Sequence, residues 1–344
     1  MKWIAKYKGF LRRVRFLQYI YNLFHKKGLE HNKHFYNLYQ IKKSIYDSVS
    51  HRDFKNLRLK SPWMDRIVGQ NEILNHPEYI RFPEAVEEQL LHWHKTGFLI
   101  WENFLDEETI NSINFELDEL IGKNKVQFNY TSRKIFNAYK HSYTIRKVIK
   151  DKRLLQLFHF IMERNAIPFQ TINFMKGSEQ KAHSDSIHMS TFPEGNLVAA
   201  WFALEDIGDM QGPVFYYPGS QDLPYIYNED YPNDNTRFLL DENANEKYEA
   251  KVQEVLNNHP ELKKEIYMPK KGDLLIWHAN LLHGAEPIKD YNLTRKSMVV
   301  HYFGEDVVCY HEISERPTIF DTELVGEVKE KFFKGDSDVF DIGE

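Results

Sequence analysis

Residues 181–188 read KAHSDSIH, and His183 and Asp185 stand two positions apart. On an extended segment that spacing sends both side chains to one face. An imidazole and a carboxylate placed this way can share a metal ion, with a third ligand drawn from elsewhere in the chain. His283 is the candidate, lying in WHANLLHGAEP immediately before Gly284. Two histidines and one carboxylate form the facial triad of mononuclear non-haem Fe(II) sites, which leaves coordination positions open for substrate and dioxygen. Arg295 follows twelve positions later and opens RKSMVVHYF. Its planar guanidinium suits a carboxylate held by two parallel hydrogen bonds, and Ser297 shares its strand face, so a hydroxyl can assist. An H-x-D pair alone is common. Joined to a strand-end histidine and an arginine, it describes a site for iron and a small dicarboxylate.

Other histidines fit this scheme less well. His188 falls off the His183/Asp185 face if the strand is regular. His278 has the opposite parity to His283 if both lie on one strand, and reads as structural. His92 and His94 flank Trp93 on a helix and cannot share a face at a spacing of two. His301 is in line with Arg295, Ser297 and Val299, which leaves it as either a core histidine or a lining residue of the site.

The elements that would position these groups are short strands. FQTINFMKG, LVAAWFALED, GPVFYYPGS, GDLLIWHANLLHG and RKSMVVHYFG are β-branched or aromatic runs bounded by Gly, Pro and Asp, which predicts an antiparallel sandwich or barrel. Residues 221–268 are polar, contain the helical stretch EKYEAKVQEVL, and form an insertion between two strands that reads as a lid. Ahead of the strands, EAVEEQLLHWHKT reads as a helix stopped by Gly97, and FLIWENFL as a short strand. Asp106 caps a second helix whose apolar face is Ile110, Ile113, Leu117, Leu120 and Ile121. A further helical region spans residues 143–166.

The chain of 344 residues is 42% hydrophobic and 15% aromatic, as expected for a folded domain. Its single cysteine, Cys309, excludes a disulfide framework and any CxxC metal site. No apolar run is long enough to span a membrane, and arginines interrupt the N-terminal apolar stretch, which argues against a secretory signal. The net charge of −5 conceals a split. Residues 1–60 hold 15 Lys and Arg against 3 Asp and Glu, a net +12, and the remainder holds 30 against 47, a net −17. Within this basic extension Phe10, Leu11, Val14, Leu17, Tyr21 and Phe24 recur at helical spacing. Such a helix suits three partners: the protein's own acidic body, an anionic membrane surface, or another protein. Nucleic acid is excluded by the acidic body and the lack of a reader motif. The organisation expected is a basic extension over 1–60, a linker over 61–81, an oxygenase domain over 82–325 and an acidic tail over 326–344. The expected location is cytoplasmic, with peripheral membrane contact through residues 1–60.

Taken together, these motifs make the chain resemble the phytanoyl-CoA dioxygenase family of Fe(II)/2-oxoglutarate oxygenases from about Phe82 to about Phe303. FPEAVEEQLLHWHKTGFLIWENFLDEETINSINFELDEL is similar to the family's opening stretch, HSD to its H-x-D, AAWFALED with GPVFYYPGS to its tryptophan strand and PGS segment, and GDLLIWHANLLHG with Arg295 to its distal histidine block. The resemblance implies an α+β, mainly β fold: a double-stranded β-helix (jelly-roll, cupin-like) core flanked by helices, with the basic helical extension added. It implies that His183, Asp185 and His283 bind iron, that Arg295, with Ser297, holds the far carboxylate of 2-oxoglutarate, and that Trp201 and Gln170 line the co-substrate site. It implies dioxygen as oxidant, ascorbate as an accessory reductant, succinate and carbon dioxide as by-products, and hydroxylation of an unactivated C–H bond in a small-molecule or lipid-like substrate. Retention of Asp185 favours hydroxylation over halogenation. Two positions depart from the pattern: Ala285 stands where HGS is common, and Gln221 where PGS is followed by His. The rival readings are a non-catalytic metal-binding protein on this fold and a cupin-like metalloenzyme that needs no 2-oxoglutarate.

Overall fold

The run LVAAWFA is apolar at every position, so as a strand it must be covered on both faces. In the computed structural model, which describes residues 9–54, 62–65, 70–76, 79, 82–129 and 133–332, that is its situation. The strands are β1 (Phe98–Trp101), β2 (Lys134–Phe136), β3 (Ala166–Phe174), β4 (Ser190–Phe192), β5 (Leu197–Ala203), β6 (Val214–Tyr216), β7 (Glu265–Tyr267), β8 (Leu274–His278), β9 (His283–Ala285), β10 (Ser297–Gly304), β11 (Val308–His311) and β12 (Arg316–Pro317). Six form one antiparallel sheet in the order β1-β8-β5-β10-β3-β2; two three-stranded sheets follow the orders β12-β11-β4 and β7-β6-β9.

Alternation divides the large sheet. Val198, Ala200, Phe202, Leu274, Ile276, Met298, Val300 and Tyr302 pack on the helices of one face. Ala199, Trp201, Leu275, Trp277 and Val299 point the other way and pack with Val214 and Tyr216 of the small β6-containing sheet. The space between the sheets is therefore lined by the odd-numbered residues of β5, β8 and β10, and this is where the site lies.

The helices follow local rules. Asp106 caps α3 (Glu107–Gly122), accepting a hydrogen bond from the Thr109 N–H at 2.7 Å. Ile110, Ile113 and Leu117 of α3 are buried, and Leu120 and Ile121 less so. EAVEEQLLHWHKT is two helices rather than one: α2 (Glu84–Leu90) and a single turn, Trp93–Thr96, closed by Gly97 at φ 73°. The region after residue 142 is Tyr143–Val148 followed by α4 (Lys152–Met162). The insertion between β6 and β7 carries α5 (Ala244–Asn258).

Of the stretch read as a linker, 61–81, the described parts pack into the fold: Trp63 and Met64 join the main core, and Asp65 accepts hydrogen bonds from Tyr225 Oη at 3.0 Å. In the extension, α1 (Arg15–Phe24) is followed by Lys26–Leu29 and Asn32–Leu38. Leu29, Phe35, Tyr36, Ile45, Val49 and Phe54 cover Phe192, Val308 and Tyr310 of the β4/β11 sheet. The proposed tail boundary at 325/326 falls inside α6 (Thr322–Phe332), and the rest of the tail lies outside the described residues. No helix among the described residues is long and apolar enough to cross a membrane.

Candidate metal centre and its cavity

His183 and His283 face one another as an antiparallel bridge, exchanging both backbone hydrogen bonds: His183 N–H to His283 O at 3.0 Å and His283 N–H to His183 O at 2.9 Å. Directly paired residues on antiparallel segments present their side chains on the same side, and the two rings lie 4.5 Å apart. Ser184 is extended (φ −103°, ψ 151°), so Asp185 returns to the same side and opens the 3₁₀ turn Asp185–Ile187. One ligand atom from each of His183, Asp185 and His283 lies within 4.8 Å of the other two, and all three residues are buried.

The atoms that are free in this cluster are the ones a metal needs. His183 Nδ1 is 2.8 Å from Lys181 O and His283 Nδ1 is 2.9 Å from Leu281 O. A carbonyl only accepts, so each Nδ1 carries the proton and each Nε2 presents its lone pair. Burial, helped by the neighbouring His283, lowers the His183 imidazole to about 4, which keeps it neutral. Burial alone would raise Asp185, but His283 and His301 more than offset it and hold the carboxylate ionised. Asp185 Oδ2 accepts a hydrogen bond from Trp277 Nε1 at 2.8 Å and lies 3.4 Å from His301 Nε2, while Oδ1 is 3.8 Å from His283 Nε2. One carboxylate oxygen is thus anchored and the other faces the histidines. Gly284 follows His283 because a Cβ there would meet Phe215 at 2.4 Å and Gln180 O at 2.6 Å.

Three of the expected co-substrate residues, Arg295, Trp201 and Gln170, line the same cavity, which measures about 850 Å³, and Ser297 stands behind Arg295. Arg295 is fully buried between the rings of Phe174 and Trp201, 5.1 and 5.8 Å from their centroids. It donates to Ser297 Oγ at 3.3 Å, and its Nε has no partner. Burial pulls the guanidinium down to about 10, Glu205 acting the other way. A buried cation with an unfilled donor and no paired carboxylate among the described residues is the complement of an anionic ligand. Gln170 lines the cavity from β3, opposite His301 of β10.

His301 lies beside Asp185 as a lining residue, with its Nδ1 buried and unpartnered. His188 also lines the cavity, but as the residue that caps the 3₁₀ turn Asp185–Ile187 rather than on a strand, so the parity argument does not apply to it. Nor does parity relate His278 to His283: the run GDLLIWHANLLHG turns over Ala279–Leu282 and supplies two strands, β8 and β9. Gln221, at the departure from PGS-His, donates to His94 O at 2.9 Å and lies outside the cavity wall.

Two residues went unnoticed in sequence. Trp277 anchors Asp185 and packs against His283 with ring centroids 4.6 Å apart and the planes tilted by 43°; its parity with Leu275 would have placed it on the inner face. Lys134 lines the cavity and donates to Gln180 Oε1 at 2.6 Å; burial and the Arg295 charge lower it to about 8. No local pattern marks that lysine.

The family described as Phytanoyl-CoA dioxygenase (PhyH) matches residues 93–292. No curated protein sequence matches the chain significantly. Solved structures of similar fold include the non-heme alpha ketoglutarate dependent carbocyclase SnoK from nogalamycin biosynthesis, at TM-score 0.53 and 15% identity, covering 72% of this chain and 92% of that one. The epimerase SnoN of the same biosynthesis gives TM-score 0.53 at 16% identity over 74% and 92% of the two chains. EctD from S. alaskensis, in its apoform, gives TM-score 0.51 at 15% identity over 72% and 82%. These likenesses speak for a shared jelly-roll fold, and the family match, which spans more than half of the sequence and includes His183, Asp185 and His283, shows that the chain belongs to the phytanoyl-CoA dioxygenase family.

Proposed function

We propose that the protein is an Fe(II)- and 2-oxoglutarate-dependent oxygenase that hydroxylates an unactivated C–H bond of a small-molecule substrate. The observation that carries this reading is the pairing of a preformed two-histidine, one-carboxylate cluster with a buried, unmatched guanidinium in one cavity. SnoN, of the same fold, has been crystallised with Fe3+, alpha ketoglutarate and nogalamycin RO. In this chain His183 Nε2, Asp185 Oδ1 and His283 Nε2 would hold the metal, Arg295 and Ser297 the far carboxylate of the co-substrate, and Trp201 and Gln170 its flanks. Bound there, Fe(II) and 2-oxoglutarate supply an oxidant generated from dioxygen, with succinate and carbon dioxide released.

The protein's own contribution is placement and exclusion. The bridge between His183 and His283 fixes two ligands relative to each other before any metal arrives. Trp277 holds Asp185 by one oxygen and leaves the other for the metal. The Phe174 and Trp201 rings orient Arg295 and keep water from its charge. Phe169, Ile172 and Val299 give the cavity apolar wall.

The test is optical and chemical. Anaerobic Fe(II) with 2-oxoglutarate should give a weak visible charge-transfer band that His183→Ala abolishes. With dioxygen admitted and a metabolite library added, succinate should form, and a product should gain one oxygen atom from ¹⁸O₂. A wild-type protein with no band, or a product whose oxygen comes from water, overturns the reading.

A further inference from the structure

Helix α1 is oriented inside out. Phe16 is 68% exposed and Phe24 83%, with Leu17, Tyr21 and Leu23 also on the outside, while Gln18 and Asn22 are 5% and 3% exposed. A helix on a water-soluble surface normally does the reverse. The polar side is fastened to the rest of the extension and, through Arg15, to the body. Asn22 donates to Tyr46 O at 2.9 Å, Gln18 to Arg12 O at 2.9 Å, and Arg15 to Thr236 O at 2.9 Å, with an Arg15–Glu315 ion pair beside them. Rolling the helix to hide its apolar arc would break these contacts together.

The arc does not end with the helix. Val14 bridges Leu239, and the Arg15 N–H donates to Phe238 O at 3.0 Å, so the insertion between β6 and β7 is strapped to the extension. Phe238 at this junction is 74% exposed, and Phe10 is exposed just before it. The same segments form part of the cavity wall: Gly9, Arg12 and Arg13 from the extension, Leu240, Asp241 and Glu242 from the insertion. Charge follows the arc too. Residues 9–38 contain six Lys and Arg and one acidic residue, Glu30, and three more lysines precede them in MKWIAKYK. Arg13 and Arg15 are paired with Glu242 and Glu315, which leaves the exposed lysines Lys26 and Lys27, next to Phe24, as the charge beside the arc. An apolar face edged by lysines matches an anionic bilayer, where acyl chains take the aromatics and headgroup charge takes the lysines.

We propose that the outward face of residues 10–24, together with Phe238, docks the protein on an anionic lipid surface and sets the cavity mouth against the headgroups. An amphiphilic substrate then reaches the cavity without first dissolving in water. The docking does not rest on the oxygenase reading: vesicle binding is measured without iron or 2-oxoglutarate, so either can fail alone.

The probe is full-length protein with sedimented vesicles of phosphatidylcholine, with and without phosphatidylglycerol. Binding is expected to the anionic vesicles, with release at high salt, where the Debye length shrinks to about 3 Å at 1 M. The double substitution Phe16→Ser/Phe24→Ser removes exposed side chains only, and should lower partitioning at least tenfold with an unchanged circular dichroism spectrum. Lys26→Glu/Lys27→Glu keeps the apolar arc and should weaken binding to anionic vesicles alone. Absence of wild-type binding, serine variants that bind like wild type, or a dimer in solution that the serine variants dissociate would each overturn the proposal, the last by assigning the face to a second copy.

Discussion

Arg295 presents a conflict between stability and binding that can be measured. Its guanidinium is fully buried, no carboxylate among the described residues pairs with it, and burial lowers it well below the ordinary guanidinium value, to about 10. At about 1.4 kcal/mol per pH unit, that is a folding cost of about 3 kcal/mol. Against it stand the faces of Phe174 and Trp201, worth about 1 kcal/mol to the cation, and one hydrogen bond to Ser297, worth about 0.5–1.5 kcal/mol. Arg295→Met keeps an unbranched chain between the two rings and removes the charge. The metal-free variant should therefore be more stable than wild type by about 1 kcal/mol, read from urea unfolding midpoints. Its affinity for 2-oxoglutarate, measured by anaerobic calorimetry with Mn(II) in the site, should fall at least about 100-fold, since losing one partner of a buried ion pair costs about 3–5 kcal/mol. A variant that is clearly less stable yet binds 2-oxoglutarate as wild type does would show that Arg295 is there for packing, and the reasoning would fail.

Trp277→Phe removes the N–H that anchors Asp185 and keeps the ring against His283; metal affinity should drop about 10–100-fold, and an unchanged metal titration would refute the anchoring role. Glu312 is a buried carboxyl that accepts N–H bonds from His51 and Asn228, and burial nonetheless raises it from 4.5 to about 7. Because the folded state keeps this proton longer than the unfolded state, its contribution is fully present below about pH 4.5 and is lost as pH rises through about 7, about 3 kcal/mol in all. Glu312→Gln should flatten that part of the stability–pH curve, and a slope equal to that of wild type would exclude Glu312 as its source.

How much of this was legible depends on the distance over which each cause acts. The spacing of His183 and Asp185 is a local rule, and it worked through one extended residue, Ser184, although the segment is a bridge and a turn rather than a strand. The fully apolar run of β5 requires a strand covered on both faces. GDLLIWHANLLHG misled because its apolar character persists through the turn at Ala279–Leu282, where burial rather than strand geometry demands it. Lys134 was out of reach, since only the register of β2 against β3 carries it beside the site.

The extension shows a different limit. Periodicity places Phe10, Leu17, Tyr21 and Phe24 on one side of a helix, but a helix with that pattern has the same internal polarity whether its apolar side meets the protein or the outside. What decides is which side finds partners. Here Gln18 and Asn22 reach backbone carbonyls of the extension itself, and Arg13 and Arg15 reach Leu240, Thr236, Glu242 and Glu315, residues more than two hundred positions away. Each polar contact is exchanged for water at small net gain, yet together they satisfy most of the polar groups on that side, Gln18 Oε1 excepted, so the apolar side is left outward by default. Leaving several aromatics in water carries a cost of about 25 cal/mol per Å² of apolar surface that burial would recover, and a surface that removes them from water recovers it beside segments that line the cavity.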